Sequence, residues 1–593
     1  MRVPPEIRPA EAFDPIELEV MWSHLIAIAD EMAATLIRTS FSTILRESND
    51  YACGLLDCGG RSMADNTQSI PSFVGTLSRT CREMLREIPA GDLAPGDVLV
   101  TNDPWLGTGH LPDVTMFTPI FHRGRLAAFA GMIAHMPDVG GALWSADAQE
   151  VFEEGLRIPP CKLIRAGAWN EDVVRFVRAN SRVPDLVMGD IQALVAAGAT
   201  ASRRLVEFLD DRKLEDLGPL AEAIQGRAEM AMRRAIAALP DGVYRARYES
   251  DGFDTPTTIA VAIGVNGSDL SVDYSGTSPQ ITRGLNVVMN YTFAYTAYPL
   301  KCALDPLTPK NEGSFRPFTI AAPEGSILNP RFPAPVNARQ LTGHLLSCAI
   351  YAALAPAMPD RIVADSGSCP STRAVFSGRW PDGRKFSFIL FANGGMGARP
   401  AKDGLSCTPF PTNSTCASIE VMENLAPLLV WRKALLPDSG GAGRFRGGLG
   451  QEIALEVRAT EPIAISLLTD RRDHPAQGFL GGRPGSPVRL LVNEARAPHP
   501  KARGWLQPKD RLTICYGGGG GFGPPQERER VAVEADLTEG YISPGAARRL
   551  YGLKVGAPRQ AAAPASRWGI ARRRPAGPSS TLPVSLRRGK RAR

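Results

Sequence analysis

Hydrophobic and polar positions follow a helical period over much of the first 240 residues and a strand period beyond them. Asp14-Pro15 sets a capping carboxylate before a proline at the first helical position. Leu18, Met21, Leu25, Ile28, Met32 and Leu36 then recur at spacings of three and four, which predicts a packed helix. His24 lies beside that stripe and reads as a structural histidine. Further helices are predicted over residues 77–88, 184–209 and 220–239; alanine and glycine in the second of these permit close packing. Interleaved are apolar runs of strand length at residues 51–56 and in V-L-V-T before Asn102. The segment V-T-M-F-T-P-I-F-H-R-G-R-L-A-A-F-A-G-M-I predicts two strands joined by a turn at residues 122–125.

From Gly242 onward, Y-R-A-R-Y-E, T-I-A-V-A-I-G-V and L-S-V-D-Y-S alternate with period two. A helix is predicted directly after Arg283-Gly284, and another over residues 341–354, carrying His344. Strands I-A-L-E-V, I-A-I-S-L-L and V-R-L-L-V follow, with a terminal helix over residues 540–553. The fold class expected is α+β and multidomain, with mixed sheets, packed helices and a β-rich C-terminal part. The expected division is a flexible arm (1–13), an N-terminal metal-binding α+β domain (14–240), a central α/β region (241–440), a β-rich C-terminal region (441–555) and a disordered basic tail (556–593).

Composition adds limits. At 593 residues the chain exceeds what one hydrophobic core supports. Its 58 glycines and 50 prolines point to many turns and long irregular loops. No window approaches eighteen uninterrupted apolar residues, and M-R-V-P-P-E-I-R-P-A-E lacks the apolar core of a signal peptide, so neither membrane nor secretion is expected. Ten scattered cysteines without a C-x-x-C pair suit a reduced, cytoplasmic setting. The net charge of +6 is local: ten of the 67 basic residues lie from Arg559 onward, leaving 57 basic against 61 acidic before it. A nucleic-acid partner is therefore not expected.

Chemistry concentrates in residues 102–141. There N-D-P-W-L-G-T-G-H-L-P-D-V and A-H-M-P-D-V-G-G set His110/Asp113 and His135/Asp138 at opposite ends of the predicted hairpin sequence, which would bring them together. Imidazole and carboxylate suit zinc, manganese or iron(II) with a position left for water. Two turns of ordinary polarity are the alternative, and the pattern alone leaves the two near even. Glu47 and Asp50 precede the run at 51–56, where an oxygen ligand could reach the histidine loops. The proline-rich stretch R-F-P-A-P-V-N-A-R suits an interface or substrate rim better than a core. Glycine-rich stretches such as residues 517–521 suggest a phosphate cradle, but none matches a phosphate-binding fingerprint.

N-D-P-W-L-G-T-G-H-L-P-D, A-H-M-P-D-V-G-G, E-E-G-L-R-I-P-P, N-E-G-S-F-R-P, D-S-G-G-A-G-R-F-R-G-G-L-G and G-G-G-G-G-F-G-P-P together closely resemble the hydantoinase B/oxoprolinase family, over about residues 14–555. The resemblance implies the B-type chain of an ATP-dependent cyclic-amide hydrolase. An A-type partner would bind ATP with magnesium and phosphorylate the substrate carbonyl. The B-type chain would act on the activated ring at one divalent metal (manganese, zinc or iron(II)). The family pattern carries the ligand roles to Asp50, His110, Asp113 and His135, with Glu47 the nearby alternative oxygen. Asp138 becomes a supporting carboxylate that orients His135 or accepts a proton, and Glu47 and Asp138 are the candidate catalytic residues. Arg283, Arg339 and Arg399 are candidates for gripping phosphate or a substrate carboxylate. The implied assembly is a hetero-oligomer with a homodimeric core. Other family activities leave two alternatives, one component of a ketone carboxylase and a non-catalytic scaffold. Phe73 departs from a histidine in many relatives, which suggests a more apolar pocket.

Overall fold

A tight turn sets the register on which the fold is built. The computed structural model describes residues 13–496 and 499–553. The expected basic tail and all but the last residue of the expected arm lie outside them. In the predicted hairpin, β4 (Asp113–His122) pairs antiparallel with β5 (Arg125–His135) through the two-residue loop Arg123-Gly124. Both loop residues have positive φ, 49° and 78°, the combination that matches the twist of paired strands. The register places His122 opposite Arg125 and, despite one irregularity at Ile120/Phe121, Asp113 opposite His135.

This hairpin is the centre of a seven-stranded sheet in the order β2-β1-β5-β4-β3-β6-β7. Its other strands are β1 (Tyr51–Asp57), β2 (Ser62–Asp65), β3 (Val98–Thr101), β6 (Cys161–Arg165) and β7 (Ala168–Trp169). Both faces are covered, which is why the strands are apolar almost throughout. On one face Val114, Met116, Ala130 and Met132 pack with the helices Pro15–Thr39 and Pro184–Asp211. On the other, Leu99, Phe117, Phe129 and Ile133 pack with Leu77, Cys81 and Met84 of the helix Thr76–Glu87. A Cβ at Gly198 would lie 2.3 Å from Oγ1 of Thr118, so the long helix sits close on the sheet as its small residues suggest.

The helix Pro15–Thr39 starts as its cap dictates: Asp14 Oδ1 accepts from the Ile16 and Glu17 amides at 2.9 and 3.2 Å. Its apolar stripe is buried from Leu18 to Leu36, each large side chain contributing roughly 1.5–3 kcal/mol. His24 packs its ring edge-on to Phe208, as a structural histidine would. The helix is long and apolar enough to cross a membrane, with a mean hydropathy of 1.3 over its most apolar window. Here that apolar face is instead packed against Leu55, Met63 and the helix Pro184–Asp211.

A four-stranded sheet in the order β11-β10-β9-β8 follows, from β8 (Gly242–Ser250), β9 (Thr257–Asn266), β10 (Asp269–Asp273) and β11 (Phe318–Ala321). The helices Met289–Leu304 and Leu345–Leu354 supply buried residues to the same core. The helix expected directly after Gly284 begins at Met289 instead; Leu285, Val287 and Val288 are buried loop residues. The C-terminal part is β-rich as expected. One sheet joins Arg373–Arg379, Lys385–Phe391, Ile463–Leu468 and Arg503–Leu506; the other joins Leu428–Leu435, Gln451–Val457, Arg511–Cys515, Arg489–Val492 and Ala495–Arg496. The terminal helix is shorter than expected, Pro544–Tyr551.

Between these last sheets lies a core with few side chains. The glycines at 517–521 run beside Gly395, residues 440–448 and residues 478–485. A Cβ at Gly447 would lie 1.9 Å from the Gly519 carbonyl oxygen, and one at Gly518 1.8 Å from that of Ser439. Backbone amides here are taken by neighbouring carbonyls: Gly519 N–H by Gly448, Gly520 by Asp365 and Gly521 by Arg483, at 3.0, 2.8 and 2.9 Å. The amides that suggested a phosphate cradle are thus already satisfied, and the run is packing.

Candidate metal centre

The register of β4 and β5 places Asp113 and His135 side by side on one face of the sheet, and the loop before β4 folds His110 back onto them. Asp113 Oδ1 lies 2.8 Å from His110 Nε2 and 3.0 Å from His135 Nδ1. The three ligand atoms lie within 4.8 Å of one another, and all three residues are buried. Two imidazoles and a carboxylate converging in this way fit a divalent ion held by nitrogen and oxygen donors.

The loop is held from several sides. Asn102 donates to the Leu111 and Leu156 carbonyls at 2.8 and 2.9 Å and accepts from the Ile158 amide at 2.6 Å, which ties the His110 loop to the E-E-G-L-R-I-P-P segment. Gly109, at φ 96°, lets the chain pass Arg339, whose Cδ would lie 2.8 Å from a Cβ there. His110 Nδ1 lies 3.0 Å from the Asn337 carbonyl, which also accepts from Trp144 Nε1 at 2.8 Å. With Nδ1–H donated to that carbonyl, Nε2 is left as the lone-pair nitrogen, the tautomer a metal ligand needs. Glu154 in turn fixes the carbonyl: its Oε1 accepts from the Val336 and Asn337 amides at 2.6 and 2.8 Å.

Electrostatics suit the same reading. Burial, reinforced by Arg339, pushes His110 down to about 4, so its imidazole is neutral at ordinary pH. Burial would raise Asp113, but His110 and Arg339 beside it hold it well below the usual carboxylate range. Burial raises Asp50 to about 6, partly opposed by His135. Arg339 donates to Asp113 Oδ2 and to the Thr108 carbonyl, and its guanidinium lies 4.0 Å from the centre of the Tyr291 ring.

The structure brings the four candidate ligands into one small cavity of about 30 Å³: Asp50, His110, Asp113 and His135 line it with Arg339, Gln340, His344 and Arg373. The two candidate catalytic residues are not part of that wall, though Asp138 lines a neighbouring cavity with His135. Asp138 bonds to Arg182 at 2.5 Å and to Ser181 at 3.2 Å, and makes no hydrogen bond to His135 among the described residues. Glu47 contributes its backbone carbonyl to Thr415, and its side chain is not part of the cavity wall. Arg339 is committed to Asp113, while Arg283 stacks on Phe253 and Arg399 bonds to the Asp403 carbonyl, both away from the cavity. Nor is the proline-rich stretch purely a rim. Arg331 and Phe332 are exposed, but Val336, Asn337 and Arg339 are buried against the centre. Phe73 sits with Leu77 and Phe117 in the sheet core, and its neighbour Ser72 faces the cavity, so the departure at 73 does not alter the wall.

Gln340 and Arg373 carried no sequence signal, and Glu154's partner Asn337 was marked only as part of a proline-rich stretch suited to a rim. They come from beyond residue 240, and only tertiary packing unites them with the hairpin.

A mixed α/β fold with a buried His/Asp cluster on its first sheet defines a candidate metal-site class, and comparison gives it a family. Residues 14–525 match the hydantoinase B/oxoprolinase family model. A protein of Pseudomonas sp. (strain NS671), provisionally named as the B chain of a D-/L-hydantoinase, is 31% identical over 91% of this chain and 95% of its own. The beta chain of the caprolactamase of Pseudomonas jessenii is 29% identical over 91% and 96%. The 5-oxoprolinase PfmaA of Pestalotiopsis fici is 31% identical over 87% of this chain, which spans 42% of that longer protein. Among solved structures, the ATP-dependent caprolactamase from Pseudomonas jessenii superposes with a TM-score of 0.85 at 28% identity, over 92% of this chain and 97% of that one. A nucleotide-free acetone carboxylase shares the fold, with a TM-score of 0.83 at 19% identity over 91% and 79%. The chain belongs to the hydantoinase B/oxoprolinase family. It is related to the B-type subunits of hydantoinase and caprolactamase.

Proposed function

We propose that this chain is the metal-dependent B-type component of an ATP-dependent cyclic-amide hydrolase of the hydantoinase/5-oxoprolinase type, acting on a ring that an A-type partner has phosphorylated at its carbonyl. The observation that carries the reading is the convergence of His110, Asp113 and His135 in a buried cavity, within a chain whose relatives include hydantoinase and caprolactamase subunits. The proposed ligands are Asp50, His110, Asp113 and His135, for one manganese, zinc or iron(II) ion. Such an ion, when bound, supplies a water of lowered pKa at neutral pH. The chain's own residues would do the rest. Asn337 keeps His110 in the ligating tautomer. Arg339 keeps Asp113 ionised and in place. The surrounding burial limits water near the activated ring. Glu47 and Asp138 stand outside the cavity wall and are given no direct part.

Amide resonance makes a lactam carbonyl a poor electrophile, and phosphorylation of its oxygen removes that protection. The isolated chain is therefore expected to bind about one divalent ion and to show little hydrolysis alone. Metal analysis of wild type and His110→Ala tests the ligand set, and equal metal content in the two would sink it. Co-expression with an A-type partner, with ATP consumption screened against hydantoins, 5-oxoproline and lactams, tests the reaction. Turnover only with ketones plus bicarbonate would replace hydrolysis with carboxylation.

A further inference from the structure

Asp50, His110, Asp113 and His135 make up only part of the cavity wall. The wall also holds two polar groups that the ligand set leaves unexplained. Arg373 opens the strand Arg373–Arg379 and is 2% exposed. It donates to the Thr372 and Ala392 carbonyls at 3.0 and 3.3 Å and to Ser414 Oγ at 2.9 Å. A guanidinium has five N–H donors. Among the described residues it forms no ion pair with any carboxylate. Asp50, in the same cavity wall, acts on it electrostatically but not in direct contact; a buried cation with no carboxylate in contact is costly, and an anionic ligand would offset that cost. Gln340 is 3% exposed and lines the same cavity, and neither its side-chain nitrogen nor its oxygen has a partner. An unsatisfied carboxamide in this position would be replaced at little cost by leucine if packing were its only role.

The balance of charge points the same way. Asp50 and Asp113 are matched in number by Arg339 and Arg373. A divalent ion adds positive charge that the cavity wall does not neutralise. An anionic ligand would.

We propose that Arg373 and Gln340 form an oxyanion-binding subsite beside the metal centre, which grips a phosphoryl or carboxylate group of the substrate. Arg373 gives charge and N–H donors, and Gln340 gives a neutral N–H donor from the first residue of the short helix Gln340–Gly343. The identity of the molecule that carries the oxyanion rests on the hydrolase reading above; the subsite itself does not.

The test is calorimetric titration of the full chain with inorganic phosphate and with acetate, in metal-free and manganese-loaded forms, alongside metal analysis. Phosphate is expected to bind wild type, and more tightly with manganese present. Arg373→Gln should weaken binding about tenfold or more, the effect of losing a charge-assisted contact. Gln340→Leu should weaken it about fivefold while leaving the melting temperature unchanged or higher, because no protein hydrogen bond is lost. A merely structural glutamine would give the reverse, a lower melting temperature with unchanged affinity. If Arg373→Gln does not fold, Gln340→Leu decides alone. Absence of phosphate and acetate binding to wild type, or equal binding in wild type and both variants, would overturn the subsite. Manganese bound with anion affinity unaffected by the variants sinks the subsite and spares the metal reading. Anion affinity that depends on Arg373 in a chain that takes up no manganese does the opposite. Tighter phosphate than acetate identifies a phosphoryl group as the natural occupant, and the reverse identifies a carboxylate.

Discussion

The hairpin Asp113–His135 and the glycine core around residues 517–521 are both buried and both dense in hydrogen bonds, yet they are built from opposite materials. In the hairpin the backbone is an ordinary antiparallel ladder, and what is particular is carried by side chains: Asp113 between two histidines, with Arg339 behind it. In the glycine core what is particular is the backbone, packed so closely that added Cβ atoms would fall within about 2 Å of carbonyl oxygens at Gly395, Gly447, Gly518 and Gly519. The first region can lose a side chain and keep its frame. The second has no side chain to lose and no room to gain one.

The largest effect is therefore expected where a methyl group is added. Gly447→Ala puts a Cβ 1.9 Å from a carbonyl oxygen that cannot move without breaking the Gly519–Gly441 hydrogen bond of 2.8 Å. The expected cost is above ~4 kcal/mol, the range reserved for severe overpacking, seen as loss of soluble protein or of the urea transition. A near wild-type midpoint would mean the core is not packed as described. Gly504→Ala is the control, since its nearest neighbour, Ile465 Cγ2, is 3.9 Å away, and it should be nearly silent.

In the hairpin the sensitive change is a deletion. Asp113→Ala leaves the buried Arg339 without its carboxylate, at about 3–5 kcal/mol, and should abolish metal uptake as well. Urea unfolding and metal analysis on the same sample separate the two effects. If stability falls but a full equivalent of metal remains, Asp113 is a structural partner of Arg339 and no ligand.

Glu154 links the hairpin to the rest of the chain and gives a smaller, pH-dependent effect. Burial lifts it to about 8 from the ordinary 4.5, against the opposing pull of two backbone amides. The folded state therefore holds this proton over a range in which the unfolded chain has released it. The contribution to stability is complete below about 4.5 and declines as pH rises towards 8. Glu154→Gln keeps an oxygen for the Val336 and Asn337 amides and should flatten this slope, raising the melting temperature relative to wild type at pH 8 more than at pH 5. Glu154→Ala leaves both amides unpaired and should cost about 1–3 kcal/mol at either pH. Identical slopes in wild type and the glutamine variant would remove Glu154 as the titrating group.

The same contrast explains what could be read from the sequence. Asp14, the stripe from Leu18 to Leu36, the loop at Arg123-Gly124 and the H-x-P-D repeats carry their instructions in local spacing, so the first helix, the hairpin and three of the cavity's residues were legible. Asp50 was reached through family likeness, and the cavity does contain it. Arg373, Gln340 and Asn337 lie more than 200 residues from His110 and have no local pattern that points to it, so no periodicity could find them. Asp138 repeats from His135 the spacing of Asp113 from His110, but the chain after β5 turns it towards Arg182, in a neighbouring cavity that His135 also lines. The glycine run was ambiguous for a different reason. Exposed amides and amides packed against carbonyls have the same sequence, and only the neighbouring strands, distant in the chain, decide between them.

The mildest test puts the glycine-to-alanine change of the core into the hairpin. Gly124, in the loop that sets the register, has a φ of 78°, and nothing lies within 4 Å of a Cβ built there. Alanine meets open space and pays only for the left-handed backbone, about 1 kcal/mol. The loop closes the far end of a pair whose register at Asp113 and His135 is also held by β1 and β3 on either side. Gly124→Ala should therefore lower the urea midpoint slightly and leave metal content unchanged. A loss of metal with this small a change in stability would show that the loop alone aligns Asp113 with His135, and that the frame of the hairpin is less tolerant than its ladder implies.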